Sequence, residues 1–134
     1  MNNKRKVAIY CRVGKEQELE IKKQEERAKQ YCEVNGYEIY KSYIDIWYSA
    51  NDCTRPGYNS MLEDMILKNF DLILVVNLDR LCRSIIELDK VISFANKYNC
   101  SIVSVNDKVD TFSTNFFPGL LSLFAKLDKS LRNE

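Results

Sequence analysis

Histidine is absent from this sequence, and no two cysteines have the two-residue spacing of a metal-binding or redox pair. Without imidazole, Ser-His-Asp catalysis, Cys-His catalysis and the usual zinc sites are excluded. The five cysteines are an odd number, and in a chain without a secretion signal they are typical of reduced thiols. We therefore expect a cytoplasmic protein that uses no metal and no other cofactor.

Long apolar runs and an excess of charge of one sign are also missing. No stretch reaches the roughly 18 apolar residues that a membrane span needs, so we expect no membrane contact. Twenty basic and 19 acidic residues give a net charge of +1, so nucleic-acid binding would need a local cluster of Lys and Arg. The length of 134 residues suits one domain with a real core, and we predict a single domain over residues 1–134.

Strand-like apolar runs alternate with segments whose apolar residues recur at helical spacing. The predicted strands cover residues 7–13, 37–44, 70–76 and 100–105, and the predicted helices cover 15–35, 58–68 and 85–98. A polar loop over 106–115 precedes a last helix, in which a heptad-like spacing relates Phe117, Leu120, Phe124, Leu127 and Leu131. The pattern predicts an α/β fold: a mostly parallel sheet of four or five strands, helices on both faces and a long C-terminal helix.

Arginines cluster in the segments that follow the predicted strands. Parallel sheets bind ligands beyond the carboxyl ends of their strands, so we expect one acid and four arginines at this edge: Arg12, Arg55, Asp79, Arg80 and Arg83. Guanidinium groups stay charged and bind phosphate oxygens in pairs, and the carboxyl group could transfer a proton. The alternative is that they are surface arginines paired with acids. From composition and spacing alone, the pattern indicates an arginine-rich anion site.

Two cysteines lie beside these arginines. Cys82 stands between Arg80 and Arg83, where it is either a thiolate favoured by positive charge or, more ordinarily, a small buried hydrophobic residue. Cys11 should point away from the site if Arg12 points towards it, because consecutive strand side chains face opposite ways.

The chain resembles the catalytic domain of the serine site-specific recombinases, the resolvase and invertase family, from about residue 7 to residue 130. The resemblance rests on VAIYCRV at residues 7–13 and LDRLCRS at residues 78–84. Further matching residues are Gln17, Gln24, Asp45, Tyr48, Ser49, Arg55, Pro56, Gly57, Met61 and Leu62. In that family a serine directly after the Y-x-R-V motif attacks a DNA phosphodiester and becomes linked to the 5′ phosphate, with no metal or ATP.

The resemblance implies roles for individual residues. Arg12, Arg80 and Arg83 would hold the phosphate and stabilise the transition state, and Asp79 would be the acid. Residues that support the site or bind DNA phosphate would be Gln24, Ser49 and Arg55. DNA is the implied partner. The last helix resembles the one through which members dimerise, so a homodimer is implied, and a tetramer in the synaptic complex.

Gly14 occupies the position of the family's nucleophilic serine. No Ser or Thr lies between Val13 and Ser42, and loss of the nucleophile costs another hydrolase family about 10⁶ in turnover. We therefore expect a recombinase catalytic domain that does not cleave DNA by the family route, in a chain without a DNA-reading C-terminal domain. Two alternatives stay open: a non-catalytic dimerisation or regulatory relative of a recombinase, and an unrelated phosphate-binding α/β module.

Overall fold

A single five-stranded sheet organises the chain. The computed structural model describes residues 4–13, 18–46, 55–82 and 84–111. The strands are β1 (Lys6–Val13), β2 (Glu38–Ile46), β3 (Leu72–Val75), β4 (Ser101–Ser104) and β5 (Val109–Asp110). Their order in the sheet is β2-β1-β3-β4-β5, and all neighbours are parallel except β4 and β5. The predicted mostly parallel sheet is therefore confirmed.

Helices cover both faces of this sheet. They are α1 (Glu18–Asn35), α2 (Pro56–Ile66) and α3 (Ile85–Lys97), with a 3₁₀ turn at Leu78–Arg80. Because strand side chains alternate, Ala8 and Tyr10 pack in one core with α2 and α3, whereas Ile9 and Cys11 pack in a second core with α1. Arg12 follows the alternation and lies on the side of Tyr10.

Local sequence explains where the helices begin and end. Pro56 stands in the first turn of α2, where its missing N–H costs nothing. At the start of α3, the Ser84 hydroxyl accepts a hydrogen bond from the Glu87 N–H at 3.1 Å, the geometry of an N-cap. Gly36 has a positive φ of 70° just after α1, which is the backbone conformation that a helix-terminating glycine provides.

The structure differs from the sequence prediction after β4. The predicted polar loop over 106–115 contains β5, whose two residues pair with Val103 and Ser104. A strand this short has no periodicity by which to recognise it. The predicted long C-terminal helix follows residue 115 and lies outside the described residues, which end at residue 111.

Candidate functional site

Arg12 stands at the carboxyl end of β1, directed at the chain that leaves β3. Its Nε donates to the Arg80 carbonyl oxygen at 3.0 Å, and its Nη2 donates to the Asp79 carbonyl oxygen at 2.9 Å. Only 9% of the residue is exposed. These bonds fix the guanidinium plane while its charge remains near the sheet edge.

Arg80 and Asp79 lie beside Arg12 in the 3₁₀ turn. Arg80 Nη1 lies 3.5 Å from the Arg12 carbonyl oxygen, and Arg80 Nε lies 3.6 Å from Asp79 Oδ1. The side chains of Arg80 and Asp79 are 28% and 41% exposed. The side chains of Arg12, Arg80 and Asp79 therefore meet at the end of β1. Solvent reaches those of Arg80 and Asp79.

The electrostatics of this group are dominated by positive charge. Burial lowers the pKa of Arg12, and the nearby charges of Arg80 and Arg55 lower it further, with Asp79 acting in the opposite direction. Like charges held close together are costly, and an anion at this edge would relieve the repulsion. The arrangement is therefore suited to binding an anion.

Arg55 lies deeper in the same region, immediately before α2. Its Nη1 donates to the Tyr10 hydroxyl at 3.1 Å and its Nη2 donates to the Leu81 carbonyl oxygen at 3.2 Å. Its guanidinium carbon lies 4.0 Å from the centre of the Tyr58 ring, a cation–π contact. Arg55 thus links β1, α2 and the 3₁₀ turn from inside the protein.

Asp45, near the end of β2, shares the Tyr10 hydroxyl with Arg55. The residue is 1% exposed, and its carboxylate accepts from the Tyr10 hydroxyl at 2.8 Å. It also accepts from the backbone N–H groups of Gly57 at 2.7 Å and Tyr58 at 2.9 Å, at the start of α2. Tyr10 and Asp45 belong to the motifs that resemble the family, but the sequence predicts a site role for neither. The signals that could have identified them were the nearness of Asp45 to the end of β2 and the alternation that places Tyr10 on the same face of β1 as Arg12.

Gln24, on α1, bonds to the backbone of Arg12 with both ends of its amide. The Oε1 atom accepts from the Arg12 N–H, and Nε2 donates to the Arg12 carbonyl oxygen, each at 3.2 Å. The residue is buried, so its amide is occupied in holding Arg12. Of the remaining residues assigned from the sequence, Gly14, Ser49 and Arg83 lie outside the described residues.

The cysteines near the site are buried thiols. Burial raises the pKa of Cys82 to about 12, and the charge of Glu87 adds to the effect. Burial likewise raises the pKa of Cys11 to about 12, and Cys11 belongs to the α1 core, on the other face from Arg12. The more ordinary interpretation of Cys82, a small buried hydrophobic residue, is confirmed, and so is the prediction that Cys11 points away from the site.

Two negative findings concern the described part of the chain. No group of three or more His, Cys, Asp or Glu side chains there is arranged to hold a metal ion. No helix in these ranges is long and apolar enough to cross a membrane.

Known proteins share this fold over nearly the whole chain. The crystal structure of the N-terminal catalytic domain of TP901-1 integrase is 31% identical, with a TM-score of 0.79, over 96% of this chain and 97% of that one. A resolvase family site-specific recombinase from Streptococcus pneumoniae is 25% identical, with a TM-score of 0.75, over 97% and 91%. The uncharacterized immunity region protein 3 of Bacillus phage phi105 is 40% identical over 65 residues, which cover 46% of this chain and 79% of that protein.

The family model described as the resolvase N-terminal domain matches residues 7–134. That span includes all five strands, apart from the first residue of β1, and both Arg12 and Arg80. The chain therefore belongs to the resolvase family, as a domain of the serine recombinase catalytic type.

Proposed function

We propose that this domain binds the phosphodiester backbone of DNA through Arg12 and Arg80, and that it does not cleave DNA by the family's phosphoserine route. The observation that carries the proposal is that the guanidinium group of each arginine reaches the main-chain carbonyl oxygen of the other, with the Asp79 carboxylate beside Arg80. Arg12 stands two positions before Gly14 in the sequence. A phosphate there would receive charge-assisted hydrogen bonds from fixed donors. Glycine offers no oxygen to attack that phosphate.

The roles of the individual residues follow from their contacts. Arg12 and Arg80 hold the phosphate, and Asp79 would be the acid of a competent site. Arg55 and Gln24 support them from within: Arg55 is enclosed by Tyr58 and the Leu81 carbonyl, and Gln24 is bonded to the Arg12 backbone. Neither needs to touch DNA. From the resemblance alone, we propose that Arg83 binds the phosphate together with Arg12 and that Ser49 lies at the same edge of the sheet.

Binding to short duplex DNA at low ionic strength tests the phosphate site. We expect Arg12→Gln and Arg80→Gln each to weaken binding and to reduce the slope of log affinity against log salt by about one. Arg27→Gln, which changes an exposed arginine of α1, is the matched control and should leave the slope unchanged. Equal effects of all three substitutions would show that any surface arginine suffices, which contradicts a defined site.

Restoring the hydroxyl tests the catalytic part of the proposal. A Gly14→Ser variant, fused to a DNA-binding domain of known target, should form a covalent adduct with DNA that survives denaturing electrophoresis. The parent Gly14 protein, fused in the same way, should form none. An adduct from the parent protein would refute its proposed inability to cleave by this route.

A second candidate function is regulation without catalysis, in association with a recombinase or with DNA. It is favoured by the 40% identity to a protein named for a phage immunity region. If Gly14→Ser folds normally but forms no adduct, the site has lost more than its nucleophile, and this second candidate is favoured.

Both candidate functions include a homodimer formed through the last predicted helix. The first also includes a tetramer in the synaptic complex. Sedimentation as a monomer at high protein concentration would contradict the dimer.

A further inference from the structure

Asp107, in the turn between β4 and β5, is bonded to the 3₁₀ turn that follows β3. Its Oδ2 accepts from the Leu78 N–H at 2.7 Å, and the Ser104 hydroxyl lies 2.8 Å from the same oxygen. That hydroxyl is also 3.3 Å from the Val76 carbonyl oxygen. One carboxylate therefore joins the carboxyl ends of two neighbouring strands.

The Leu78 N–H needs a partner from elsewhere in the chain. Leu78 begins the 3₁₀ turn and is fully buried, and the preceding Asn77 makes no side-chain cap bond. A buried N–H without an acceptor carries the full cost of its lost hydration. Asp107 supplies the acceptor, and a charged acceptor makes a stronger bond than a neutral one.

The same turn provides the carbonyl oxygens that hold the site arginines. Consecutive carbonyls of Asp79 and Arg80 accept from Arg12 at 2.9 and 3.0 Å, and the next one, of Leu81, accepts from Arg55 at 3.2 Å. Because peptide units are planar, the direction of each carbonyl is set by the backbone of the turn. Rotation of the turn about its first residue would therefore move the acceptors of both guanidinium groups.

We propose that Asp107 is a positioning residue of the arginine site: by holding the Leu78 N–H it fixes the carbonyls that aim Arg12. Asp107 acts through the turn and need not touch the ligand. The DNA-binding consequence rests on the function proposed above, whereas the effect on Arg12 does not. The sequence predicts only a polar loop around Asp107 and no role for this residue.

The test compares three variants of the full chain. Asp107→Ala removes the acceptor, Asp107→Asn keeps an acceptor oxygen without the charge, and Asp89→Ala changes an exposed acid of α3 as the control. The first readout is the solvent exchange rate of the Arg12 Nε–H in ¹⁵N–¹H spectra, assigned by its loss in Arg12→Gln. The second is affinity for a short DNA duplex at low ionic strength. Circular dichroism establishes that each variant is folded.

We expect Asp107→Ala to speed exchange of the Arg12 Nε–H and to weaken DNA binding about tenfold, which corresponds to about 1.4 kcal/mol. Asp107→Asn should recover most of both losses, and Asp89→Ala should change neither. If Asp107→Ala does not fold, Ser104→Ala carries the test, because it removes a hydroxyl that holds the Asp107 carboxylate. It should speed exchange to a smaller extent.

Several outcomes would overturn the inference. Unchanged Arg12 exchange in folded Asp107→Ala, or in Ser104→Ala if that variant must be used, removes the positioning role. Tighter DNA binding by Asp107→Ala would show that the carboxylate merely repels phosphate. If the parent protein does not bind DNA but Asp107→Ala still speeds Arg12 exchange, the positioning role is supported and the proposed DNA function fails. If the parent protein binds DNA but Asp107→Ala leaves Arg12 exchange unchanged, the proposed DNA function is supported and the positioning role fails.

Discussion

Gln24 bonds to Arg12 in the way that a residue of a neighbouring strand would, with its amide accepting from the Arg12 N–H and donating to the Arg12 carbonyl oxygen at 3.2 Å. Pairing of β1 with β3 extends only from Val7 to Ile9, whereas pairing with β2 continues to Val13. The backbone of Arg12 therefore lies beyond the last β3 partner, and a side chain from α1 satisfies it. This contact fixes the backbone of Arg12, two positions before Gly14 in the sequence.

Gln24→Ala should destabilise the protein by about 1–3 kcal/mol, because the buried Arg12 N–H loses its acceptor and the Arg12 carbonyl oxygen loses the nearer of its two side-chain donors. Urea unfolding followed by circular dichroism measures the loss. Gln30→Ala changes an exposed glutamine of the same helix and should stay within about 0.5 kcal/mol of the parent. Similar stabilities for the two variants would mean that the Gln24 amide contributes little.

Gly57→Ala should destabilise the protein by about 1–3 kcal/mol through overpacking. A Cβ at position 57 would lie 2.9 Å from Asp45 Oδ1 and 2.9 Å from the Ile44 carbonyl oxygen. Either Asp45 moves, which disturbs its bonds to Tyr10, or α2 shifts away from β2. Thermal and urea unfolding measure the cost, and Glu63→Ala, on the exposed side of α2, is the control. A Gly57→Ala protein as stable as the parent would show that this approach is not tight.

Tyr10→Phe should cost about 1–3 kcal/mol of stability and should weaken anion binding. The lost hydroxyl donates to Asp45 at 2.8 Å and accepts from Arg55 at 3.1 Å, so its removal takes one partner from each buried charge. Tyr98→Phe is the control, since the described contact of Tyr98 is the packing of its ring on Phe94. A double-mutant cycle with Asp45→Asn should show coupling between positions 10 and 45. Strictly additive effects would contradict a shared network.

Stability should fall at alkaline pH. Burial raises the thiol pKa values of Cys11, Cys82 and Cys100 to about 12 and that of Cys32 to about 11. Because these pKa values are higher in the folded state, the contribution of the neutral thiols is fully present below the unfolded pKa of about 8.5 and is lost above it, as pH rises through the folded values. Burial also raises the pKa of Tyr10, so its hydroxyl adds to the loss of stability at alkaline pH.

The urea midpoint should therefore be level between pH 7 and pH 8 and should decline above about pH 9. In the native protein at pH 8, a thiol reagent should label the four buried cysteines only as fast as the protein unfolds. Rapid labelling of Cys82 in the folded state would contradict its burial. A midpoint that rises above pH 9 would contradict the direction of the shifts.

The fold class could be predicted because it depends on local patterns. Apolar runs rich in β-branched residues alternate with segments whose apolar residues recur at helical spacing, which implies a parallel sheet covered on both faces. Because side chains along β1 alternate between the two faces of the sheet, Arg12 and Cys11 lie on opposite faces. Parallel strands also carry their following segments to one edge, which brought Arg12 and the Asp79–Arg80 segment together. The two-residue strand β5 could not be predicted, because its pairing with β4 is its main distinction from a loop.

The partners of the site residues were decided by tertiary structure. Tyr10 contacts Asp45 across 35 positions and Asp107 contacts Leu78 across 29, and neither spacing has a local signature. Such bonds depend on how α1, α2 and the 3₁₀ turn pack on the sheet. From the sequence alone, Arg12, Asp79 and Arg80 could be placed at the edge of the sheet, and residue 14 has no hydroxyl. Only packing decided that the Arg12 backbone is held by Gln24 and its guanidinium by the carbonyls of Asp79 and Arg80, because buried polar groups must find partners wherever the fold brings them close.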